Sequence, residues 1–261
     1  MPSITSRTYY LRGLIKATGL AKTGEILFRR MLGAPGVVSV SVNGSRLEVR
    51  PRDSDIFVLS QIFGWEEYRI EPWRLSMLRE VAANWQTSGI KPIIIDAGAN
   101  VGFSSLYFAS LFPGVCVLAV EPDCTSFEIL ARHARTNEQI KPVHAALWSH
   151  DRGLELKTPN NSSWAAHVTE GVGIPSQRLD NLLASIPTAR PLIIKLDIEG
   201  AEREVVASCP EVFAAAKCIV VEPHDVMNPG AACLSPLYGV ASSSGFDTVI
   251  SGENLLLFAV D

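Results

Sequence analysis

The stretch Ile93-Ile94-Ile95-Asp96-Ala97-Gly98-Ala99-Asn100-Val101-Gly102-Phe103-Ser104-Ser105 decides the fold. Three β-branched apolar residues in a row read as a strand buried on both faces. Gly98 and Gly102 let the chain turn tightly and bring backbone close to a ligand, and the pattern predicts a helix over 104–111. Asp96 closes the strand. Its carboxylate suits an ammonium group and repels a pyrophosphate. The dinucleotide fingerprint is GxGxxG, but this turn reads GxNxG. S-adenosylmethionine carries an ammonium and NAD does not, so the turn favours a methyl donor. Asp96, Gly98, Ala99, Asn100 and Gly102 are therefore candidate donor-site residues.

Downstream, apolar runs alternate with helical patterns. Strands are predicted at 115–120, 143–147, 192–196 and 218–221, and helices at 125–135 and 202–215. Near-continuous apolar runs imply a mostly parallel sheet with helices on both faces. The chain closes with runs at 246–250 and 255–260 around Ser251-Gly252-Glu253-Asn254, a hairpin that makes at least one late strand antiparallel.

Two further constellations sit at predicted strand ends. Glu121-Pro122 follows the second strand, where an acid can accept hydrogen bonds from both ribose hydroxyls of an adenosine ligand. Lys195-Leu196-Asp197-Ile198-Glu199-Gly200-Ala201-Glu202 follows the fourth strand. Such strand ends line the ligand crevice of open α/β sheets. Asp197 and Glu199 lie two apart, so an extended segment points them the same way. Glu202 is read as a complement to the following helix N-terminus. His224 follows the fifth strand and is a suitable base near neutrality. Candidate catalytic residues are Asp197, Glu199, His224 and Lys195. Lys195 pairs with the carboxylates or points at a substrate oxygen. His144 and His167 are less informative. The polar stretch Asn161-Ser162-Ser163-Trp164 reads as a loop, over the acceptor or at the surface.

Asp-Ala-Gly-Ala-Asn-Val-Gly at 96–102, Glu121-Pro122-Asp123, the 195–202 block and Val221-Glu222-Pro223-His224 together resemble the FkbM family of S-adenosylmethionine-dependent methyltransferases. The resemblance covers roughly residues 45–225. It implies a class I methyltransferase (Rossmann-like) fold of seven strands, six parallel and one antiparallel. It also implies S-adenosylmethionine as methyl donor, and methylation of a hydroxyl on a carbohydrate or secondary metabolite. Nitrogen or carboxyl methylation with the same donor site, or a non-catalytic donor-binding module, are the alternatives. Oxygen ligands at Asp197, Glu199 and Glu222 suit magnesium, but the family does not imply a metal and none is expected.

Residues 1–52 form a basic arm, with a helix over 8–32 and a hairpin of 37–42 and 47–49 around Asn43-Gly44. Residues 53–261 form the methyltransferase domain, beginning with a helical cap over 53–90 (helices at 56–63 and 72–86). Arm and cap are expected to stand apart from the core. The arm carries nine Lys/Arg against two Asp/Glu, the remainder fourteen against twenty-five. This asymmetry suits a solvated helix or weak contact with an anionic membrane surface. The net charge of −4 excludes a nucleic-acid binder by bulk charge. Hydrophobic residues at 47% and charged residues at 19% exclude disorder as the main state. Apolar positions 11–20 are broken by Arg12 and Lys16, so no signal peptide is expected. Five cysteines without a CxxC pair suit free thiols in a reducing cytoplasm.

Overall fold

The computed structural model describes residues 4–157, 167–171, 173–225 and 227–260. Helix α1 (Ile4–Met31) kinks at Gly19, where φ is 77°. Strands β1 (Val38–Val42) and β2 (Ser45–Val49) form the Asn43-Gly44 hairpin. Then come α2 (Asp55–Leu59), a π-helix (Ser60–Trp65) and α3 (Pro72–Thr87).

The α/β part runs β3 (Lys91–Ala97), α4 (Phe103–Leu111), β4 (Cys116–Val120), α5 (Cys124–Thr136) and β5 (Ile140–Val143). Short strands β6 (Ala146–Leu147), β7 (Leu154–Lys157), β8 (His167–Glu170) and β9 (Ser176–Gln177) follow. After α6 (Leu179–Ala184) come β10 (Ala189–Leu196), α7 (Glu202–Ser208), α8 (Pro210–Ala214) and β11 (Cys218–Val221). The chain finishes with α9 (Ser235–Ser244), β12 (Phe246–Ser251) and β13 (Asn254–Ala259).

Seven strands form one sheet in the order β12-β13-β11-β10-β3-β4-β5. β13 pairs antiparallel with β11 and β12, while β11, β10, β3, β4 and β5 pair in parallel. Six strands therefore share one direction and β13 opposes them, the class I methyltransferase arrangement. The apolar runs are continuous because both faces are covered. Ile94, Val117, Ala119 and Val220 meet Leu106, Phe108 and Leu130 on one face. Ile95, Leu118, Ile194 and Ile219 meet Leu183, Val205, Phe213 and Leu237 on the other.

Four expectations change. The third sheet strand is 140–143, and Ala146–Leu147 leaves the sheet to pair with β9. The helix over 202–215 is two helices, because Pro210 cannot continue a helical ladder. The helix over 56–63 widens into π geometry from Ser60. The arm and cap do not stand apart. Leu14, Ile26, Val40, Leu47, Val49, Leu59 and Phe63 are buried in the same cluster as the sheet face beneath them. Gly13 of α1 lies so close to Gly64 of the π-helix that a Cβ on Gly64 would overlap Gly13 backbone, 2.7 Å from its Cα. His133 of α5 joins hairpin to sheet. Its Nδ1 lies 2.7 Å from Val101 O and its Nε2 accepts from Glu48 N at 2.8 Å.

All five cysteines are free. Among the described residues no helix is long and apolar enough to cross a membrane. The stretch 161–164 lies outside the described residues.

Candidate active site

The parallel register sets Lys195 beside Asp96 and Leu196 beside Ala97. Lys195 Nζ therefore lies 3.1 Å from Asp96 Oδ1 and donates to Ala97 O at 3.2 Å and Gly98 O at 2.8 Å. Ser104 and Ser105 hydroxyls donate to Asp96 Oδ2 at 2.6 and 2.5 Å. Asp96 is fully buried and forms no part of the cleft wall. The ammonium that the Asp96 carboxylate faces in this structure is that of Lys195. Asp96 also ties the first turn of α4 to β3. Burial favours a neutral amine on Lys195, but Asp96 and Asp197 outweigh it and hold the ammonium well above the ordinary lysine range. Lys195 thus straps the turn to the end of β10.

The turn itself is held by Gly98 N and Ala99 N, each donating to Val120 O at 3.0 Å. Gly98 adopts φ 73°, and a Cβ there would run into the backbone carbonyl of Asp197. The neighbouring strand end by itself requires a glycine here, and the same residue lines the cleft. Asn100, at φ 49°, donates its N–H to Glu121 Oε2 at 2.7 Å. Its buried Oδ1 has no hydrogen-bond partner. Gly102 adopts φ 89° and starts α4.

Glu121 ends β4. Its Oε1 accepts from Asp123 N at 2.8 Å. Each oxygen is oriented by one backbone amide and keeps a lone pair for the cleft. Burial pushes this carboxyl up to about 7. Pro122 completes this wall.

The ends of β10 and β11 bring together four groups that sequence spacing alone could not join. His224, 1% exposed, lies with Nδ1 2.8 Å from Glu202 Oε1. Its Nε2 stands 3.5 Å from Glu199 Oε2 and 3.8 Å from Asp197 Oδ1. Asp197 Oδ2 is 3.5 Å from Lys195 Nζ. The segment is a turn, not an extended strand: Glu199 sits at φ 53° and Gly200 at φ 97°. A left-handed non-glycine residue is costly and concentrates at functional sites. Glu202 does more than complement its helix. It is fully buried, accepts from Ile198 N and Gly200 N at 3.3 Å each, and fixes the His224 ring.

Burial and then the Asp197 charge push Glu199 up to about 7. The same two causes raise Glu222. Burial opposes charge on His224, but the Glu202 hydrogen bond and the surrounding carboxylates outweigh it, and its pKa is raised. His144 lies apart, stacked on Phe127.

These strand ends enclose one cleft of about 850 Å³, within the range of about 300–1,000 Å³ common for ligand pockets. Its lining includes Glu121, Asp197, Glu199, Glu222 and Glu253 but a single lysine, Lys195. The opposite wall is built by Tyr10, Phe57, Gln61 and Tyr68 of arm and cap. Tertiary packing brings these side chains to the cleft.

The family described as the methyltransferase FkbM domain matches residues 96–232. "Methyltransferase 1" of Beauveria bassiana (strain ARSEF 2860) is 25% identical over 139 residues, 43% of this chain and 56% of that protein. "Methyltransferase sdnD" of Sordaria araneosa is 39% identical over 54 residues, 21% of each. The chain thus spans about half the length of the first of these relatives and a fifth of the second. The FkbM methyltransferase structure of Methylobacillus flagellatus KT aligns with a TM-score of 0.45 at 18% identity, over 64% of this chain and 43% of that one. The O-methyltransferase TomG of Streptomyces achromogenes aligns with a TM-score of 0.41 at 12% identity, over 74% of this chain and 81% of that one. The matched segment begins at Asp96, takes in the Glu121, Asp197–Glu202 and His224 strand ends, and spans more than half of the sequence; the chain belongs to the methyltransferase FkbM domain family.

Proposed function

We propose that the chain binds S-adenosylmethionine in this cleft and methylates a hydroxyl oxygen of a small molecule, a carbohydrate or secondary metabolite. One observation carries the reading. Three parallel strands end in Glu121, in Asp197 with Glu199, and in Glu222, all lining one cleft with one lysine. A ligand with a sulfonium and an ammonium suits that charge, and a pyrophosphate does not.

The residues present fit the donor. Asn100 Oδ1 is a buried acceptor lacking a partner, suited to an N–H group. The remaining lone pairs of Glu121 suit two ribose hydroxyls. The donor supplies an electrophilic methyl group on a sulfonium. The chain contributes alignment, which can be worth up to ~7–11 kcal/mol in favourable cases, and a proton acceptor, typically worth about 10²–10⁴-fold. Glu199 is the group best matched to take the hydroxyl proton, because burial and Asp197 place it near 7. Asp197 lies between Lys195 and His224 and sets the local charge there.

Calorimetry with S-adenosylmethionine and NAD, followed by an acceptor screen read by the mass of an added methyl group, tests this. Donor binding with methylation of a hydroxyl acceptor is expected. NAD binding in its place overturns the reading. We place the protein in a reducing cytoplasm, where its five thiols stay free. Helix α1 exposes Leu20, Phe28 and Met31, and Leu32 just after it is exposed too; with the arm's excess of Lys and Arg, we propose weak contact there with an anionic lipid surface. Leu20→Ser with Met31→Ser is expected to abolish liposome co-sedimentation and leave donor binding intact.

A further inference from the structure

We propose that Asp197, Glu199 and His224 form a binding site for a divalent first-row transition cation such as Mn²⁺, Fe²⁺ or Zn²⁺. One ligand atom from each lies within 4.8 Å of the others. Ligands about 2.1 Å from a shared ion sit roughly 3.0–3.4 Å apart, depending on geometry. The observed 3.5 and 3.8 Å from His224 Nε2 to the two carboxylates are within a few tenths of an ångström of that.

Three further features distinguish the cluster from a chance gathering of acids. The His224 ring is oriented from behind by fully buried Glu202, 2.8 Å from Nδ1. This carboxylate–imidazole arrangement is the usual support of a metal-binding histidine. His224 is itself 1% exposed, with Nε2 directed at the two carboxylates and, among the described residues, at no closer partner. Glu199 is held in a left-handed conformation, φ 53°, that brings its carboxylate back to Nε2. One nitrogen and two oxygen donors suit a transition cation better than the all-oxygen shells preferred by Mg²⁺ and Ca²⁺.

The site lies in the cleft wall, so three protein ligands leave positions open toward a bound molecule. Ligation through Asp197 Oδ1 and Glu199 Oε2 leaves each carboxylate its second oxygen, and in the loaded chain Glu199 serves as a ligand and not as the proton acceptor. An acceptor hydroxyl on the open face would be polarised by the ion. That task rests on the methyl-transfer reading; the cation site does not.

The test uses the full chain, treated with chelator and titrated with Mn²⁺ while free Mn²⁺ is followed by electron paramagnetic resonance. One Mn²⁺ per chain is expected, with an imidazole ¹⁴N coupling in the pulsed spectrum. Glu202→Gln is expected to weaken binding about 10–100-fold. Asp197→Asn and His224→Gln should weaken it more, and exposed Glu211→Gln leaves it unchanged. Folding of each variant is checked by circular dichroism. Wild-type chain that shows no saturable Mn²⁺, or bound Mn²⁺ without ¹⁴N coupling, overturns the inference without any variant. S-adenosylmethionine calorimetry on the same sample separates the two readings. Mn²⁺ bound without donor binding supports the cation site and removes the methyltransferase. Donor bound without a Mn²⁺ site does the reverse.

Discussion

Asp96→Asn should damage stability before it damages donor recognition. The substitution keeps the side chain's size and its ability to accept from Ser104 and Ser105, and replaces the charged oxygen facing Lys195 Nζ at 3.1 Å with a neutral amide nitrogen that cannot accept. Lys195 is then a buried ammonium whose nearest remaining carboxylate is Asp197 at 3.5 Å. Breaking a buried ion pair from one side costs about 3–5 kcal/mol. Asp197 offsets part of this, so the lower end is expected. A chain of this size loses about 2–4 °C of melting temperature per kcal/mol, which gives a fall on the order of 10 °C. Lys195→Met should cost a similar amount by stranding Asp96. The double variant removes both charges and should melt above what the single losses add to. Melting is followed by circular dichroism, and S-adenosylmethionine affinity by calorimetry well below each transition. An unchanged melting temperature with donor binding lost would show that Asp96 contacts the ligand, and would refute this account of the cleft floor.

Glu121→Gln is expected to weaken donor binding about tenfold or more, as loss of a charged hydrogen-bonding partner does, and to lower the melting temperature too, because the amide nitrogen cannot accept from one of the two backbone N–H groups. In the wild type, affinity should fall as pH drops through about 7, where Glu121 gains its proton. Stability moves the other way: a carboxyl raised on folding stabilises the free chain below its unfolded value, and that contribution is lost as pH rises through about 7. Gly98→Ala should cost about 1–2 kcal/mol for its left-handed backbone and about 1–3 kcal/mol more for the overlap with Asp197 O, read as a lower melting temperature. His133 is held neutral by burial, with its pKa below 6.5, so its contribution is complete above 6.5 and lost as pH falls. His133→Gln should lower the melting temperature at pH 7.5 and flatten its decline toward pH 5.

The architecture was legible wherever its cause is local. Ile93-Ile94-Ile95 signals a strand covered on both faces, Asn43-Gly44 signals a hairpin, and the terminal runs flank a visible turn. Pro210 was an equally local signal that the helix over 202–215 would break. What escaped reading depends on register between strands about a hundred residues apart. Nothing near Asp96 in sequence announces that Lys195 will neutralise it, and the pairing of Lys195 with Asp96 appears only when β10 lies beside β3. Glu202 looks like an ordinary helix-start acid, because its contact with His224 crosses 22 positions. The cleft's outer wall, with Tyr10 and Phe57, is equally non-local.

The strand ends carry more acids than folding needs, and their hydrogen bonds separate two kinds of work. Helix N-termini expose unpaired amides and a positive dipole end, and several acids here meet those demands. Asp96 fixes the first turn of α4, Asp123 accepts from Ser126 N at the start of α5, and Glu202 takes up Ile198 N and Gly200 N before α7. Each is consumed by architecture. Asp197 and Glu199, among the described residues, take up no backbone amide and face an imidazole and an ammonium at 3.5 Å or more. Keeping two such carboxylates partly buried is unfavourable unless a cation offsets them. Lys195 is already committed to Asp96 and to two backbone carbonyls. The compensation comes from a proton on Glu199, pushed up to about 7 by burial and Asp197, from His224, or from what enters the cleft. Glu121 lies between the classes, oriented by two amides yet open to the cavity, as a group must be that is held rigid for a ligand.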